Sequence, residues 1–186
     1  MTAPSRSFLV RWRVASGYLL AIISFYFARP NTESLIEGAC IALVGLMIRA
    51  AAAGIVRKGQ QLASSGIYAW TRNPLYFGST ILAAGFVVGS NSWIVAAVVA
   101  GYILMFYPAV VRREDRDLRE KFGAEFAVYS ARVSAFIPWP TRRPPSGPEF
   151  SWAQYIRNHE YRAVVGTAIA MGVLVLRMWL LVRLGR

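Results

Sequence analysis

The sequence predicts an all-α integral membrane protein, a single membrane domain with about five transmembrane helices that include a short helical hairpin. Three observations carry this prediction. Apolar residues make up 56% of the 186-residue chain and charged residues only 16%, against about 25% charged in an ordinary soluble domain. One run, Phe77 to Val111, holds 35 residues without a charge. The cations behind the formal net charge of +12 fall between apolar runs or beside them, where they act as topology signals and lipid headgroup contacts.

The first span is expected over about 8–28. Val14 to Ala28 is uncharged, Phe8 to Arg13 is an interfacial lead-in, and at about 1.5 Å per residue the segment covers a bilayer. Its basic start resembles a signal peptide, but no small-residue cleavage site stands out and the apolar run continues into Phe27, so it reads as a retained span. "RPNTES", Arg29 to Ser34, turns the chain into a second span, 35–56, with Glu37 near one end and Arg49 deep inside. An ionised group at that depth costs about 2.5 kcal/mol or more unless it is paired or wetted. Arg49 therefore faces protein or a cavity, the alternative being an arginine that snorkels to the cytoplasmic edge.

As one helix, the run from Phe77 to Val111 would be about 52 Å long, well beyond a hydrocarbon core of about 30 Å. The Gly89-Ser90-Asn91-Ser92 cluster divides it into a hairpin of spans at about 75–89 and 93–111. Beyond it, Leu118, Phe122, Phe126, Tyr129 and Val133 recur at steps of three and four among charges, the pattern of an amphipathic helix weakened by Gly123. "FIPWPTRRPPSGPE" follows as a Pro-rich membrane-surface loop. The last apolar run, 161–182, is interrupted by Arg162 and Arg177 and is either a fifth span or a re-entrant or interfacial helix.

The distribution of cations puts the N-terminus inside. Arg6, Arg11, Arg13, Arg57, Lys58, Arg72 and the Arg112 to Arg157 region fall on the cytoplasmic side and Arg29 outside, with Arg183 and Arg186 the poor fit. Nucleic acid is excluded as a partner, because a basic groove needs a soluble surface. The single cysteine, Cys40, permits no disulfide within one chain and reads as packing; the lone His159 has no Cys or second His with which to hold a metal, so no metal is expected.

The hairpin leaves and re-enters on one side, so it brings together two cytoplasmic segments, 57–78 and 112–160. Arg72 and Tyr76 thereby approach Arg113, Glu114 and Asp115. Such a site offers carboxylates for a cation, aromatic faces for a sulfonium or an adenine, and backbone groups freed near Pro74. A salt-bridged collar without a ligand explains the same charges equally well.

Two stretches break this tie. "GQQLASSGIYAWTRNPLYFG", followed about 35 residues later by "REDRDLREKFGAEFAVYSARVSAFIP", resembles the C-terminal signature of the isoprenylcysteine carboxyl methyltransferase family, whose wider relatives include membrane phospholipid methyltransferases. The family pattern is L-x-x-x-G-x-Y, R-H-P-x-Y-x-G, a hydrophobic hairpin, and a paired-carboxylate E-E-x-x-L-x-x-x-F-G-x-x-Y-x-x-Y. Residues 60–138 carry the match, and "GLMIRAAAAGIVRKG" before them also fits.

The resemblance implies an enzyme that takes S-adenosylmethionine from the cytosol, into a cofactor pocket at the membrane face, and a membrane lipid or lipidated acceptor from the bilayer. It assigns Gln60, Gln61, Leu62, Ala63, Tyr68, Asn73, Pro74, Leu75, Tyr76 and Glu114 to the cofactor, and Glu114, Asp115 and Arg72 to the catalytic centre. Asn73 stands where the family has histidine. The cation that prenylcysteine methylases place four residues before the first carboxylate falls at Val110, which leaves Arg49, Arg112 and Arg113 as cations to meet an acceptor. An amine acceptor would need a base, for which Glu114, Asp115 or a tyrosine is the candidate. Rival readings are an NADPH-dependent reductase, since sterol reductases look similar in this region but are normally much longer, and a non-enzymatic transporter or scaffold. No G-x-G-x-x-G follows a predicted strand and no P-loop is present.

Overall fold

The computed structural model describes residues 17, 19–57, 59–139 and 147–185. The interfacial lead-in, the cations Arg6, Arg11, Arg13, Lys58 and Arg186, and the centre of the Pro-rich loop lie outside these residues. Among the described residues there are helices and turns and no strand.

Helix α1 is helical at residues 17 and 19–27. Helix α2, Thr32–Ile55, starts at Asn31, whose side chain accepts from the Ser34 amide while the Ser34 hydroxyl accepts from the Asn31 amide. A short 3-10 turn, Gly66–Ala69, precedes α3, Pro74–Ser90. Helix α4, Trp93–Arg132, is capped by Ser92. A six-residue α5, Trp152–Arg157, leads into α6, Tyr161–Arg183. Three of these, α2, α4 and α6, are long and apolar enough to cross a membrane, and α3 is a shorter apolar helix of 17 residues.

Glycines let α2 and α3 approach until their backbones touch. A Cβ on Gly38 would sit 2.5 Å from the Gly85 carbonyl oxygen, and one on Gly45 would sit 2.8 Å from that of Gly78. Small residues at such spacing are how membrane helices gain van der Waals contact when lipid leaves little hydrophobic drive between them. The expected hairpin is present, with Asn91 in the left-handed conformation at its tip (φ 45°).

Two sequence expectations are revised. The span at 93–111 and the amphipathic helix after it are one element: α4 runs 40 residues, about 60 Å, and so carries its carboxylates well past a bilayer core. Its break is at Gly123 (φ 49°, ψ −118°), a conformation only glycine adopts easily, and it re-aims Phe126, Tyr129 and Val133 onto Leu62. Cys40 is exposed on the outer surface of α2 rather than packed.

Helix α6 traverses the bundle. Glu160 stands just before its first residue, beside Arg49, and in its second half Arg177 donates from its guanidinium to the carbonyls of Tyr26 (2.9 Å) and Ala28 (3.4 Å) at the end of α1. Arg177 shares those carbonyls with Arg29, whose amide donates to the Ser90 carbonyl of the hairpin turn at 2.8 Å. Both polar segments of the sequence lie at the opposite end.

Candidate active site

The segment Thr71–Asn73 is too short of regular structure to satisfy itself, and the chain leaving α4 does it instead. The Arg72 amide donates to Ser134 O (2.9 Å), the Thr71 hydroxyl to Phe136 O (2.9 Å), and the Asn73 side-chain amide to Ala135 O (2.8 Å). Just upstream, the Tyr129 hydroxyl donates to Tyr68 O at 2.7 Å. Asn73 spends its amide on Ala135 and does not cap α3 with its side chain; Pro74 opens that helix. These bonds join the two polar segments into one rigid wall.

Between this wall, α2 and α4 lies a cavity of about 380 Å³. Tyr68, Arg72, Asn73, Pro74, Leu75, Tyr76 and Ser79 form one side and Arg49 projects from α2. The far side is a stripe of α4: Tyr102, Phe106, Val110 and Glu114, four residues apart and therefore on one face, with Tyr107 beside them. The rings of Tyr76 and Tyr107 meet edge to face at 5.7 Å. The cavity is aromatic toward Tyr102 and Phe106 and charged toward Arg72 and Glu114.

Its two guanidiniums are neutralised. Arg72 Nη1 lies 3.1 Å from Asp115 Oδ2, under the ring of Phe126 at 5.7 Å. Arg49 holds Glu160 with a two-pronged grip, Nε to Oε1 at 2.6 Å and Nη2 to Oε2 at 3.0 Å, while Nη1 donates to Leu75 O and the Ser79 hydroxyl. Glu114 is the acidic residue of the lining. Among the described residues, the buried Arg72 Nε and Asp115 Oδ1 have no hydrogen-bond partner. Burial, and next the negative charge of Glu114, push the Tyr68 phenol well above its ordinary range. Burial does the same to Tyr129, with Asp115 adding to it and Arg72 opposing.

Of the residues singled out in the sequence, the fold brings together Arg49, Tyr68, Arg72, Asn73, Pro74, Leu75, Tyr76 and Glu114, with Asp115 as the partner of Arg72. It separates six others from this cavity. Leu62 packs on Phe126, Tyr129 and Val133, and Ala63 on Ala52, Ile55 and Tyr68. Gln61 is exposed, and Gln60 edges a separate polar hollow with Arg57 and Arg157. Arg112 and Arg113 are exposed, Arg113 standing 4.0 Å from Asp117 one turn on. Sequence reasoning missed Glu160, which has no periodic signal, and the Tyr102-Phe106-Val110-Glu114 stripe, which a four-residue count back from Glu114 would have found.

A family model described as phospholipid methyltransferase matches residues 12–125. The chain is 36% identical over 136 residues to the cobalt-zinc-cadmium resistance protein CzcN of Cupriavidus metallidurans, covering 68% of this chain and 62% of that protein. It is 32% identical over 150 residues to the nickel-cobalt-cadmium resistance protein NccN of Alcaligenes xylosoxydans xylosoxydans, covering 73% and 69%. It thus spans less than two thirds of the length of the first of these relatives. No solved structure matches it. With three helices able to cross a bilayer, the match describes an integral membrane protein.

Proposed function

This chain belongs to the phospholipid methyltransferase family, and from that premise we propose that it transfers a methyl group from S-adenosylmethionine to an amphiphilic acceptor drawn from the bilayer. The observation that carries the reading is the cavity itself, in which the Arg72–Tyr76 turn faces the stripe of α4 that runs from Tyr102 to Glu114. In the proposed topology α1, α2, α3, α4 and α6 are five spans, and the cavity opens toward the cytoplasm, where the cations gather.

The residues present suit that cofactor. A volume of about 380 Å³ is in the range of small-molecule sites, about 300–1,000 Å³. On the lining, Arg72 Nε is a buried donor suited to the carboxylate of an amino acid moiety, with Asp115 behind it holding the guanidinium. Glu114 and the rings of Tyr76, Tyr102 and Tyr107 suit a sulfonium. When bound, S-adenosylmethionine supplies a methyl group on an activated sulfur leaving group, so the demands on the protein are alignment and exclusion of water. Arg72 and Asn73 hold the polar wall, and the α4 stripe lines the approach from lipid.

The charge balance bears on the acceptor. Arg49 and Arg72, the cations among the lining residues, are each matched by a carboxylate, so an acceptor carboxylate finds neither of them to spare. An amine headgroup suits it better. Its proton would go to Glu114, the carboxylate on the lining, since burial opposes ionisation of Tyr68 and the Tyr129 hydroxyl is spent on Tyr68 O.

Binding of S-adenosylmethionine and of NADPH to the purified full chain in lipid nanodiscs tests the reading. Saturable binding of S-adenosylmethionine, and none of NADPH, is expected. Tight NADPH binding with no response to S-adenosylmethionine would replace it with a reductase.

A further inference from the structure

Helix α2 ends at Ile55 and leaves its last carbonyls without helical partners. The segment 151–160 supplies them: the Ser151 amide donates to Gly54 O (2.9 Å), the Gln154 side chain to Val56 O (2.9 Å), and the Asn158 side chain to both Ala53 O (2.7 Å) and Val56 O (2.9 Å). Eight residues after Ser151 the chain must turn sharply into α6. His159 provides the turn at φ 54°, a left-handed conformation that is costly for a residue with a Cβ. The residue it delivers is Glu160, itself only 8% exposed, and Glu160 takes both free sides of the Arg49 guanidinium.

What Arg49 does with its remaining nitrogen gives this docking a purpose. Nη1 donates to Leu75 O and to the hydroxyl of Ser79, and Ser79 Oγ in turn donates to Leu75 O at 2.8 Å. The guanidinium is planar and rigid, so fixing one edge on Glu160 fixes the direction of the other. Leu75 belongs to the turn that lines the cavity.

We infer that Glu160 is a positioning residue for the cofactor site: through Arg49 it sets the Pro74–Ser79 turn, and so brings the C-terminal part of the chain, beyond the family-matched residues 12–125, into the working unit. This rests on the reading of the cavity as a S-adenosylmethionine site. It also reassigns Arg49 from a contact to the acceptor to a strut within the wall, since every guanidinium nitrogen is committed to protein.

The test compares S-adenosylmethionine affinity and thermal stability in the full chain in nanodiscs for Glu160→Gln, Glu160→Asp and Asn158→Ala. Asn158→Ala removes two cap bonds on α2 but leaves the strut, so it is expected to lower the melting temperature with affinity within about twofold of wild type. Glu160→Gln is expected to weaken affinity at least tenfold, and Glu160→Asp, which keeps the charge, to recover part of that loss. If Glu160→Gln fails to accumulate, Arg49→Lys reads the same quantity, because a lysine cannot hold Glu160 and Leu75 at once. Unchanged affinity in Glu160→Gln or in Arg49→Lys, or a loss no greater than that of Asn158→Ala at equal destabilisation, overturns the inference and leaves the cofactor reading standing. A wild-type chain that binds no S-adenosylmethionine overturns both.

Discussion

Glu114 carries most of the electrostatic argument at the level of single residues. If it faces a sulfonium, Glu114→Gln weakens S-adenosylmethionine at least tenfold, about 1.4 kcal/mol, as read by calorimetric titration; unchanged affinity removes it from the site. Tyr129 is more structural. Its hydroxyl donates to Tyr68 O inside the wall, and Tyr129→Phe is expected to cost about 1 kcal/mol in thermal unfolding. The raised phenols also make an alkaline prediction. A tyrosine that cannot ionise when folded but ionises at its usual pH near 10 when unfolded binds a proton that the unfolded state has lost. Stability is therefore full below pH 10 and falls as pH rises above it. A spectrophotometric titration should show Tyr68 and Tyr129 ionising only as the chain unfolds. At this scale the sequence was informative about Glu114, Asp115 and the Asn73–Tyr76 turn, because they stand in one ordered motif. It was silent on Glu160, because a lone carboxylate 111 residues from its arginine leaves no local pattern.

Among the elements, the hairpin was legible for a simple reason: a charge-free run too long for a bilayer must turn, and Gly89 to Ser92 was the place where it could. The continuity of α4 through Arg112 was not legible, since composition changes there while helical hydrogen bonding does not. The closeness of α2 and α3 was equally hidden, because the glycines that permit it, such as Gly38 and Gly85, look like any others in a membrane helix. Gly85→Val would drive a Cβ into the Gly38 carbonyl at 2.6 Å and is expected to cost about 1–3 kcal/mol. Gly101→Ala, where nothing lies within 4 Å, is expected to leave the melting temperature unchanged. Equal behaviour of the two variants would mean that α2 and α3 are not packed backbone to backbone.

For the whole molecule, the fold gathers one set of ends around Arg29, Asn91 and Arg177 and the other around Arg49, Arg72 and Glu160. The proposed orientation places the second set in the cytoplasm. In a Cys40→Ser background, a cysteine at Trp93, which is 91% exposed, should react with a membrane-impermeant maleimide on intact cells, and one at Glu120 should react only after permeabilisation. The reverse pattern would invert the topology. The proposed side assignment rests on cation counting, and the placement of Arg177 against α1 explains how a helix with an internal arginine runs the length of the bundle: the guanidinium reaches carbonyls at the end of its neighbour.

The central claim is that the cavity between the Arg72–Tyr76 turn and Glu114 moves a methyl group onto a membrane amphiphile. The direct measurement incubates the purified chain with methyl-labelled S-adenosylmethionine and native membrane extract, then separates lipid from water-soluble products. The account predicts label in the lipid fraction, dependent on the protein and strongly reduced by Glu114→Gln. Lipid without label, from a chain that is folded and supplied with its own native membranes, would contradict it.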